Sequence, residues 1–367
     1  MECRYTKKYD VAIVGAGVAG IAAALAAARL GCRTALIEKQ TLIGGLATSG
    51  LIYVYLPLCD GNGHQVTFGI AEELMKESLK YSPCDFHPDW GGKHGEEKYE
   101  LGMPRYQCRF SPAGFTLALE QLLKNADCDL WLDTLVCAAK TDKDNRITAV
   151  EVENSSGRGQ INADCFIDAS GTAVLIRNAG GKTEFSENFQ TPWFIEKAEN
   201  NLSINHLDEK IHIHCLGALQ RQNVVMENPC DGKAVSSFIR DSWEIIRQYY
   251  DKNYCSGKSD RFQHFPLHLA AMPQFRKICR IQGMETLSDN QSGCHFESSV
   301  GLYADWRKPG YIWETPYGTL LPQDVRGVLV GGRCISTAGD AWEVFRVIPA
   351  AAMTGEIAGT AAALSIK

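Results

Sequence analysis

The feature that most constrains the fold is a glycine-rich turn between apolar segments near the N-terminus, in YDVAIVGAGVAGIAAALAAARLGCRTALIEK. The run Val11–Val14 predicts a buried strand, the alanine-rich segment up to about Leu30 predicts a helix, and Thr34–Glu38 predicts a second buried strand. Two strands joined by a helix form a βαβ unit, whose strands are parallel. The sequence therefore predicts an α/β fold built on a parallel sheet.

The turn itself, GAGVAG, predicts a phosphate-binding site. Gly15, Gly17 and Gly20 follow the strand and open the helix, so backbone N–H groups can approach an anion that the helix N-terminus also attracts. Glu38 ends the next strand about 20 residues on, where a carboxylate accepts hydrogen bonds from a ribose diol. The pattern predicts a Rossmann-like dinucleotide-binding domain and leaves NAD and FAD open as its ligand.

Further motifs favour FAD. The segment EKQTLIGGLATSG resembles the ExxxxxGG element of flavoproteins with two dinucleotide-binding domains, the glutathione-reductase-like superfamily. NADCFIDASGT resembles a second motif of that superfamily. WETPYGTLLPQDVRGVLVGGRCIS and FRVIPAAAMTGEIAGTAAAL resemble FAD-dependent oxidoreductases related to the flavin half of the heterodisulfide reductase flavoprotein. The resemblance covers roughly residues 9–80, 111–179 and 272–367, and it implies FAD as the cofactor.

The resemblance also implies which residues bind FAD. The glycine turn would hold the pyrophosphate, the residues after the second strand would meet the adenosine, and the GG segment would run along the ribityl chain and the flavin ring. Two later segments would close over the middle and the ring of the cofactor. The implied cofactor-binding residues are Gly15, Gly17, Val18, Ala19, Gly20, Glu38, Lys39, Gly44, Gly45, Leu46, Ala47, Thr48, Val136, Ala169, Ser170, Gly171, Gly332, Arg333, Arg346 and Ala350.

Three residues are candidates for the chemistry. Arg333 has a planar, permanently charged guanidinium group that can bind a phosphate or the substrate. Arg346 precedes Pro349, which suits the first turn of the last helix, so its charge would add to a helix N-terminus aimed at the flavin ring. His295 and Glu297 alternate as on a strand and would form an acid/base pair. Weaker candidates for the substrate side are Tyr53, Tyr55, His64, Arg276 and Arg280.

The predicted organisation is a Rossmann-like FAD-binding domain, a parallel sheet carrying a β-meander, with an inserted mixed α+β substrate domain. The FAD-binding domain is predicted in three parts, 1–60, 111–175 and 313–367. Residues 61–110 are predicted to form loops over the active site. Residues 176–312 are predicted to form the substrate or cap domain, and 182–271 contain no recognisable motif.

These features predict an FAD-dependent oxidoreductase that transfers a hydride between a small organic substrate and non-covalently bound FAD. The cysteines form no CxxC pair, and Cys59 stands alone after the GG element, which disfavours both a metal site and a disulfide-reductase dithiol. No second GxGxxG lies in a strand–helix context, so the electron donor or acceptor stays unidentified. The alternative is an electron-transfer flavoprotein subunit that passes electrons between protein partners.

Charge and hydropathy bear on partners and location. The net charge is −6 and no long Lys/Arg run occurs, which disfavours nucleic-acid binding. The start MECRYTKKYD lacks the pattern of a signal peptide, so a cytoplasmic protein is expected. The longest apolar stretch, Val18–Leu30, is too short to span a bilayer. The oligomeric state stays open.

Overall fold

The structure is a computed structural model that describes residues 3–62, 64–85, 107–186, 188–198, 211–216, 223–224 and 228–367. Much of the predicted loop region 61–110, and parts of the predicted substrate domain 176–312, therefore lie outside the described residues.

Helices and strands alternate through the first part of the chain, as the sequence predicts. The helices are α1 (Val18–Arg29), α2 (Ile70–Leu79), α3 (Pro112–Asn125), α4 (Val174–Asn178), α5 (Gly232–Cys255), α6 (Gly339–Phe345) and α7 (Ile348–Ser365). The strands are β1 (Tyr5–Val14), β2 (Thr34–Ile37), β3 (Val54–Tyr55), β4 (Cys108–Arg109), β5 (Asp129–Trp131), β6 (Leu135–Thr141), β7 (Ile147–Asn154), β8 (Gly157–Asp168), β9 (Thr183–Phe185), β10 (Asn188–Phe189), β11 (Trp193–Ala198), β12 (Ile211–Cys215), β13 (Asn223–Val224), β14 (His264–Leu269), β15 (Cys279–Ile281), β16 (Ser299–Ala304), β17 (Ile312–Pro316) and β18 (Val328–Val330).

Within the described residues, seven strands form the main sheet, in the order β5-β2-β1-β8-β7-β6 with β18 also beside β8. The strands β5, β2, β1, β8 and β18 are parallel, whereas β6, β7 and β8 form an antiparallel meander. Strand β8 pairs with β1 along its length, and its other edge pairs first with β7 and then with β18. The predicted βαβ unit, meander and C-terminal strand are confirmed.

Helices α1 and α7 pack against each other without large side chains between them. A Cβ atom at Gly355 would lie 2.1 Å from the carbonyl oxygen of Ala19, and one at Gly359 would lie 2.2 Å from that of Ala23. Each glycine costs a helix about 1 kcal/mol relative to alanine. The close approach of the two backbones explains why glycines stand in a helix that is otherwise rich in alanine.

The segment around α5 has a small core of its own. Strand β11 lies between β12 and β14, and α5 contributes Tyr250 to a cluster around the fully buried carboxylate of Glu196. His214 Nδ1 lies 2.7 Å from one Glu196 oxygen; His264 Nε2 and the Tyr250 hydroxyl lie 2.8 and 2.9 Å from the other. Burial raises the pKa of Glu196, but these contacts outweigh it and lower the pKa to about 2.

No single helix in the described part of the chain is long and apolar enough to cross a membrane; α6 and α7 together would be, but an 87° bend separates them. No disulfide bond joins cysteines of the described residues.

Candidate cofactor site

A cavity of about 350 Å³ opens where the parallel strands β1, β8 and β18 end. Ligands of open parallel sheets bind outside the carboxyl ends of the strands. The loops that follow these strands supply much of the wall: Gly15–Ala19 after β1, Ala169–Thr172 after β8, and Gly331–Arg333 after β18. The GG segment, Gly44–Ala47, contributes a further side.

The N-terminus of α1 faces this cavity with its backbone exposed. Its N-cap, Gly17, makes no side-chain hydrogen bond, so the first N–H groups of the helix have no side-chain acceptor. A Cβ atom at Gly17 would meet no atom within 4 Å, since the space beside it belongs to the cavity. Gly15 is different: its φ of +98° suits glycine, and a Cβ there would lie 2.7 Å from the carbonyl oxygen of Ala169. The turn thus leaves room for an anion at the helix end.

Glu38 lines the cavity and also braces the glycine turn. One carboxylate oxygen accepts a hydrogen bond from the amide of Ala16 at 2.7 Å, and the other accepts one from the amide of Gln40 at 3.0 Å. Burial raises the pKa of Glu38, an effect that the backbone hydrogen bonds oppose. The side chain lines the cavity beside Lys39, where unused lone pairs can accept from a diol.

Two guanidinium groups at the cavity have no carboxylate partner among the described residues. Arg333 donates to the carbonyl oxygens of Gly171 (3.1 Å) and Phe275 (2.7 Å), and Arg177 donates to that of Thr172 (2.9 Å). Neither forms an ion pair with a carboxylate of the described residues. Burial removes Arg333 from much of the solvent and lowers its pKa. An anionic diphosphate matches this charge, and the residues present therefore fit FAD.

The N-terminus of α7 closes the other end of the cavity. Pro349 lies in its first turn, as predicted, and the N-cap Val347 provides no side-chain acceptor. Arg346 ends the preceding helix α6 and lines the cavity. Its guanidinium pairs with Glu343 at 2.7 Å, and the same carboxylate pairs with Lys277 at 2.7 Å. Because two cations share one carboxylate, this end of the cavity carries positive charge.

Most predicted cofactor residues meet at this cavity. Those that line it are Gly15, Gly17, Val18, Ala19, Glu38, Lys39, Gly44, Gly45, Leu46, Ala47, Val136, Ala169, Ser170, Gly171, Gly332, Arg333 and Arg346.

Three predicted cofactor residues lie behind the wall instead. Gly20 packs on the turn, since a Cβ there would lie 1.8 Å from the carbonyl oxygen of Gly15. The Thr48 hydroxyl donates to the Ile43 carbonyl oxygen at 2.5 Å, so it braces the GG segment rather than offering itself to a ligand. Ala350 is fully buried, and its neighbour Ala351 lines the cavity. Their contacts with the cofactor therefore stay predictions, whereas their places behind the cavity wall are seen in the structure.

His295, predicted as an acid/base group, does not line the cavity. It lies in a loop before β16 rather than on a strand, its side chain is 79% exposed, and its Nδ1 lies 3.1 Å from Glu314. The predicted partner, Glu297, is also exposed. The structure therefore separates His295 from Arg333 and Arg346, which it brings to one cavity.

The weaker substrate-side candidates also lie outside the cavity wall. The Tyr55 hydroxyl donates to the Ala71 carbonyl, and buried Tyr53 packs edge-on against Trp193. His64 is exposed, and Arg280 pairs with Glu184. Arg276 lies behind Phe275, where burial and the nearby Arg346 charge lower its pKa to about 10.

Several cavity residues carried no readable signal in the sequence. Arg177 comes from the short helix α4, and Phe275 comes from the segment before β15. Cys230, just before α5, belongs to the stretch with no recognisable motif. Lone residues of these types are common in loops and cores, so only the tertiary fold reveals that they share a wall.

The comparisons with known proteins agree with this geometry. The family described as FAD dependent oxidoreductase matches residues 10–229 and 284–367, most of the chain. The solved structure of a geranylgeranyl bacteriochlorophyll reductase-like protein from Thermoplasma acidophilum is similar, with a TM-score of 0.51 and 14% identity over 98% of this chain and 78% of that one. At this identity the likeness bears on the fold.

Curated relatives match only a short stretch. The tRNA uridine 5-carboxymethylaminomethyl modification enzyme MnmG of Geobacter sulfurreducens is 48% identical over 58 residues, which cover 13% of this chain and 9% of that protein. The enzyme of the same name from Geobacter metallireducens is 67% identical over 58 residues, with the same coverage. The matched stretch thus spans about a tenth of these relatives.

Proposed function

The chain belongs to the FAD dependent oxidoreductase family, and from that premise we propose that it transfers a hydride between a small organic substrate and FAD held without a covalent bond. Bound FAD supplies the two-electron carrier for such a reaction. The protein's own residues bind it, orient it and set the charge around it. The observation that carries the proposal is one cavity lined by two helix N-termini without side-chain caps and by Arg333, which lacks a carboxylate partner in the described chain.

The diphosphate end is assigned to α1. Its free N–H groups and partial positive charge attract an anion, and the open space beside Gly17 lets the anion approach the backbone. Arg177 adds a full positive charge from α4, and Arg333 adds another from the segment after β18. Glu38 and Lys39 lie at the far side of this turn and are assigned to the adenosine.

The flavin ring is assigned to the α7 end. There the N–H groups at the start of α7 and the Arg346 guanidinium would favour negative charge on the ring's N1 edge, which is the charge that reduction creates. Met272, Pro273 and Phe275 line the wall from the segment before β15 and limit access of water.

We infer that the substrate is an anion, such as a carboxylate. Arg346 shares Glu343 with Lys277, and Arg276 lies close behind with a pKa lowered by burial and by the neighbouring arginines. Arg276 has no carboxylate partner within 4.0 Å among the described residues. The positive charges of Arg276, Lys277 and Arg346 thus exceed the negative charge of Glu343. This excess favours a negatively charged substrate.

The test is anaerobic reduction of the FAD-loaded protein by a panel of alcohols, amines, hydroxy acids, sugars and NAD(P)H, followed by flavin absorbance. Each hydroxy or amino acid is paired with its amide. We expect bleaching by at least one acid and at least tenfold slower bleaching by its amide. Bleaching by neutral substrates alone would contradict the anionic substrate. If every small reductant fails and the protein is purified with a stoichiometric redox partner, the alternative of an electron-transfer subunit replaces the proposal.

A further inference from the structure

One carboxylate lies between two cations at the α7 end of the cavity. Glu343, in α6, accepts a hydrogen bond at Oε2 from Arg346 Nε at 2.8 Å, and the same oxygen lies 2.7 Å from Arg346 Nη2. Glu343 Oε1 lies 2.7 Å from Lys277 Nζ. Each carboxylate oxygen thus serves one cation. Among the described residues, neither Arg346 nor Lys277 lies within 4.0 Å of another carboxylate.

Glu343 reaches the cavity through Arg346. The Arg346 side chain lines the cavity, whereas Glu343 lies outside its wall. The Arg346 side chain is only 13% exposed, so water does little to screen its charge. A guanidinium held through two of its nitrogens keeps a fixed plane. Glu343 therefore determines where the Arg346 charge lies as well as how much of it is neutralised.

Lys277 is held against α6 by further contacts. Its backbone amide donates to the side-chain oxygen of Asn188 at 3.0 Å, and its ammonium lies 5.8 Å from the centroid of the Trp342 ring. Trp342 precedes Glu343 in α6, and its indole N–H donates to the Arg333 carbonyl oxygen at 2.8 Å. These contacts keep the Lys277 charge beside Glu343.

The Glu343 carboxylate is ionised at neutral pH. Burial raises its pKa, but the charges of Arg346 and Lys277 and the hydrogen bonds from both side chains outweigh burial and lower the pKa. Two positive charges and one negative charge leave a single net positive charge beside the cavity.

We propose that Glu343 is a positioning residue that lowers the reduction potential of bound FAD, an inference that rests on the proposed placement of the flavin ring at the α7 end. Two electrons and one proton convert the oxidised ring into a reduced ring with one negative charge. Arg346 and Lys277 favour that charge, and the Glu343 carboxylate opposes it. Glu343 thus limits how strongly the site stabilises reduced flavin.

The test measures the potential of the FAD-loaded protein by stepwise anaerobic reduction with dithionite beside a reference dye. Glu343→Gln removes the negative charge and keeps the shape of the side chain. We therefore expect the potential to rise by at least about 30 mV, a tenfold shift towards reduced flavin for a two-electron couple. Lys277→Gln removes a positive charge and should lower the potential. Glu343→Asp keeps its charge, so its potential should stay closer to that of the wild type than the potential of Glu343→Gln does.

Glu244→Gln is the matched control, because Glu244 in α5 forms the same i,i+3 pair with Arg247 outside the cavity wall. Its potential should equal that of the wild type. Shifts of the same sign in Glu343→Gln and Lys277→Gln, or no shift in either, would overturn the proposal, because opposite signs follow from charge and not from local unfolding. If Glu343→Gln does not retain FAD, the potential of Lys277→Gln decides alone, and it must fall for the proposal to stand.

Failure of this inference is distinguishable from failure of the proposed reaction. Dithionite reduces the flavin without the substrate, so the potentials are measurable even if no small organic molecule reduces the protein. FAD-loaded variants with unchanged potentials would contradict the role of Glu343 alone. A protein that holds no FAD would contradict the proposed function itself.

Discussion

Gly355 in α7 lies directly on the backbone of Ala19 in α1: a Cβ atom on Gly355 would come within 2.1 Å of the Ala19 carbonyl oxygen. Ala19 is in the first turn of α1, beside the cavity. The contact therefore fixes the relative position of the two helices whose N-termini are assigned to opposite ends of FAD. The C-terminal helix is part of the cofactor site because its backbone can approach α1 this closely.

Gly355→Ala should destabilise the protein, because a methyl group cannot fit against a backbone oxygen without moving a helix. Overpacking of this kind costs about 1–3 kcal/mol, more than the gain in helix propensity. Urea unfolding would measure the loss. Gly232→Ala is the matched control, since a Cβ at Gly232 meets nothing within 4 Å. Equal stability of the two variants would contradict the close contact.

Gly17→Ala should leave the fold intact and weaken FAD binding. The backbone of Gly17, with φ −71° and ψ 177°, is accessible to alanine, and the added methyl would meet only the cavity. The methyl occupies space beside the uncapped α1 N-terminus, so we expect at least a tenfold higher Kd, about 1.4 kcal/mol. Titration of the apoprotein with FAD, monitored by flavin fluorescence, measures it. A Kd equal to that of the wild type would place the diphosphate elsewhere.

Two substitutions of Arg333 distinguish the effect of its positive charge on FAD binding from the effect of its planar guanidinium group. Arg333→Gln removes a positive charge next to the assigned diphosphate, and the loss of a charged hydrogen bond costs about 1.5–3 kcal/mol. Arg333→Lys keeps the charge but cannot donate to both Gly171 and Phe275, so an intermediate Kd is expected. The wild type should also lose affinity with rising salt more steeply than Arg333→Gln. Identical salt dependence would remove Arg333 from the site.

The parts of the site that could be predicted from sequence are those encoded locally. The turn with Gly15 and Gly17 follows a buried strand and begins a helix within a few residues. Its role in binding an anion can therefore be predicted from one short segment of sequence. Arg333 follows the C-terminal strand in the same way. Each of these residues lines the cavity.

The parts that could not be predicted depend on helix phase or on tertiary contact. Ala350 and Ala351 differ only in their rotation around α7, and the sequence does not reveal which of two alanines faces the ligand. Cys230 comes from a segment with no local motif, and it lines the cavity only once the segment before α5 is packed beside the sheet. His295 and Glu297 alternate as on a strand, but the chain forms a loop there.

Glu196 should stabilise the protein in a pH-dependent way. Its pKa is about 2 in the folded protein and 4.5 ordinarily, so the folded state gains stability above pH 4.5 and loses it as the pH falls towards 2. The shift corresponds to about 3 kcal/mol. Glu196→Gln should be less stable than the wild type at pH 7, and the difference should shrink between pH 4.5 and 2. Urea unfolding across this range measures it, and a difference that is constant with pH would contradict the role of the carboxylate charge.

The most direct test of the account is the flavin content of the purified protein. After reconstitution with FAD and gel filtration, we expect a yellow protein with stoichiometric flavin, which acid precipitation releases entirely into the supernatant as FAD. Flavin that stays with the precipitate would contradict non-covalent binding. A colourless protein that neither retains FAD nor gains thermal stability from it would contradict the central claim that this cavity holds the cofactor.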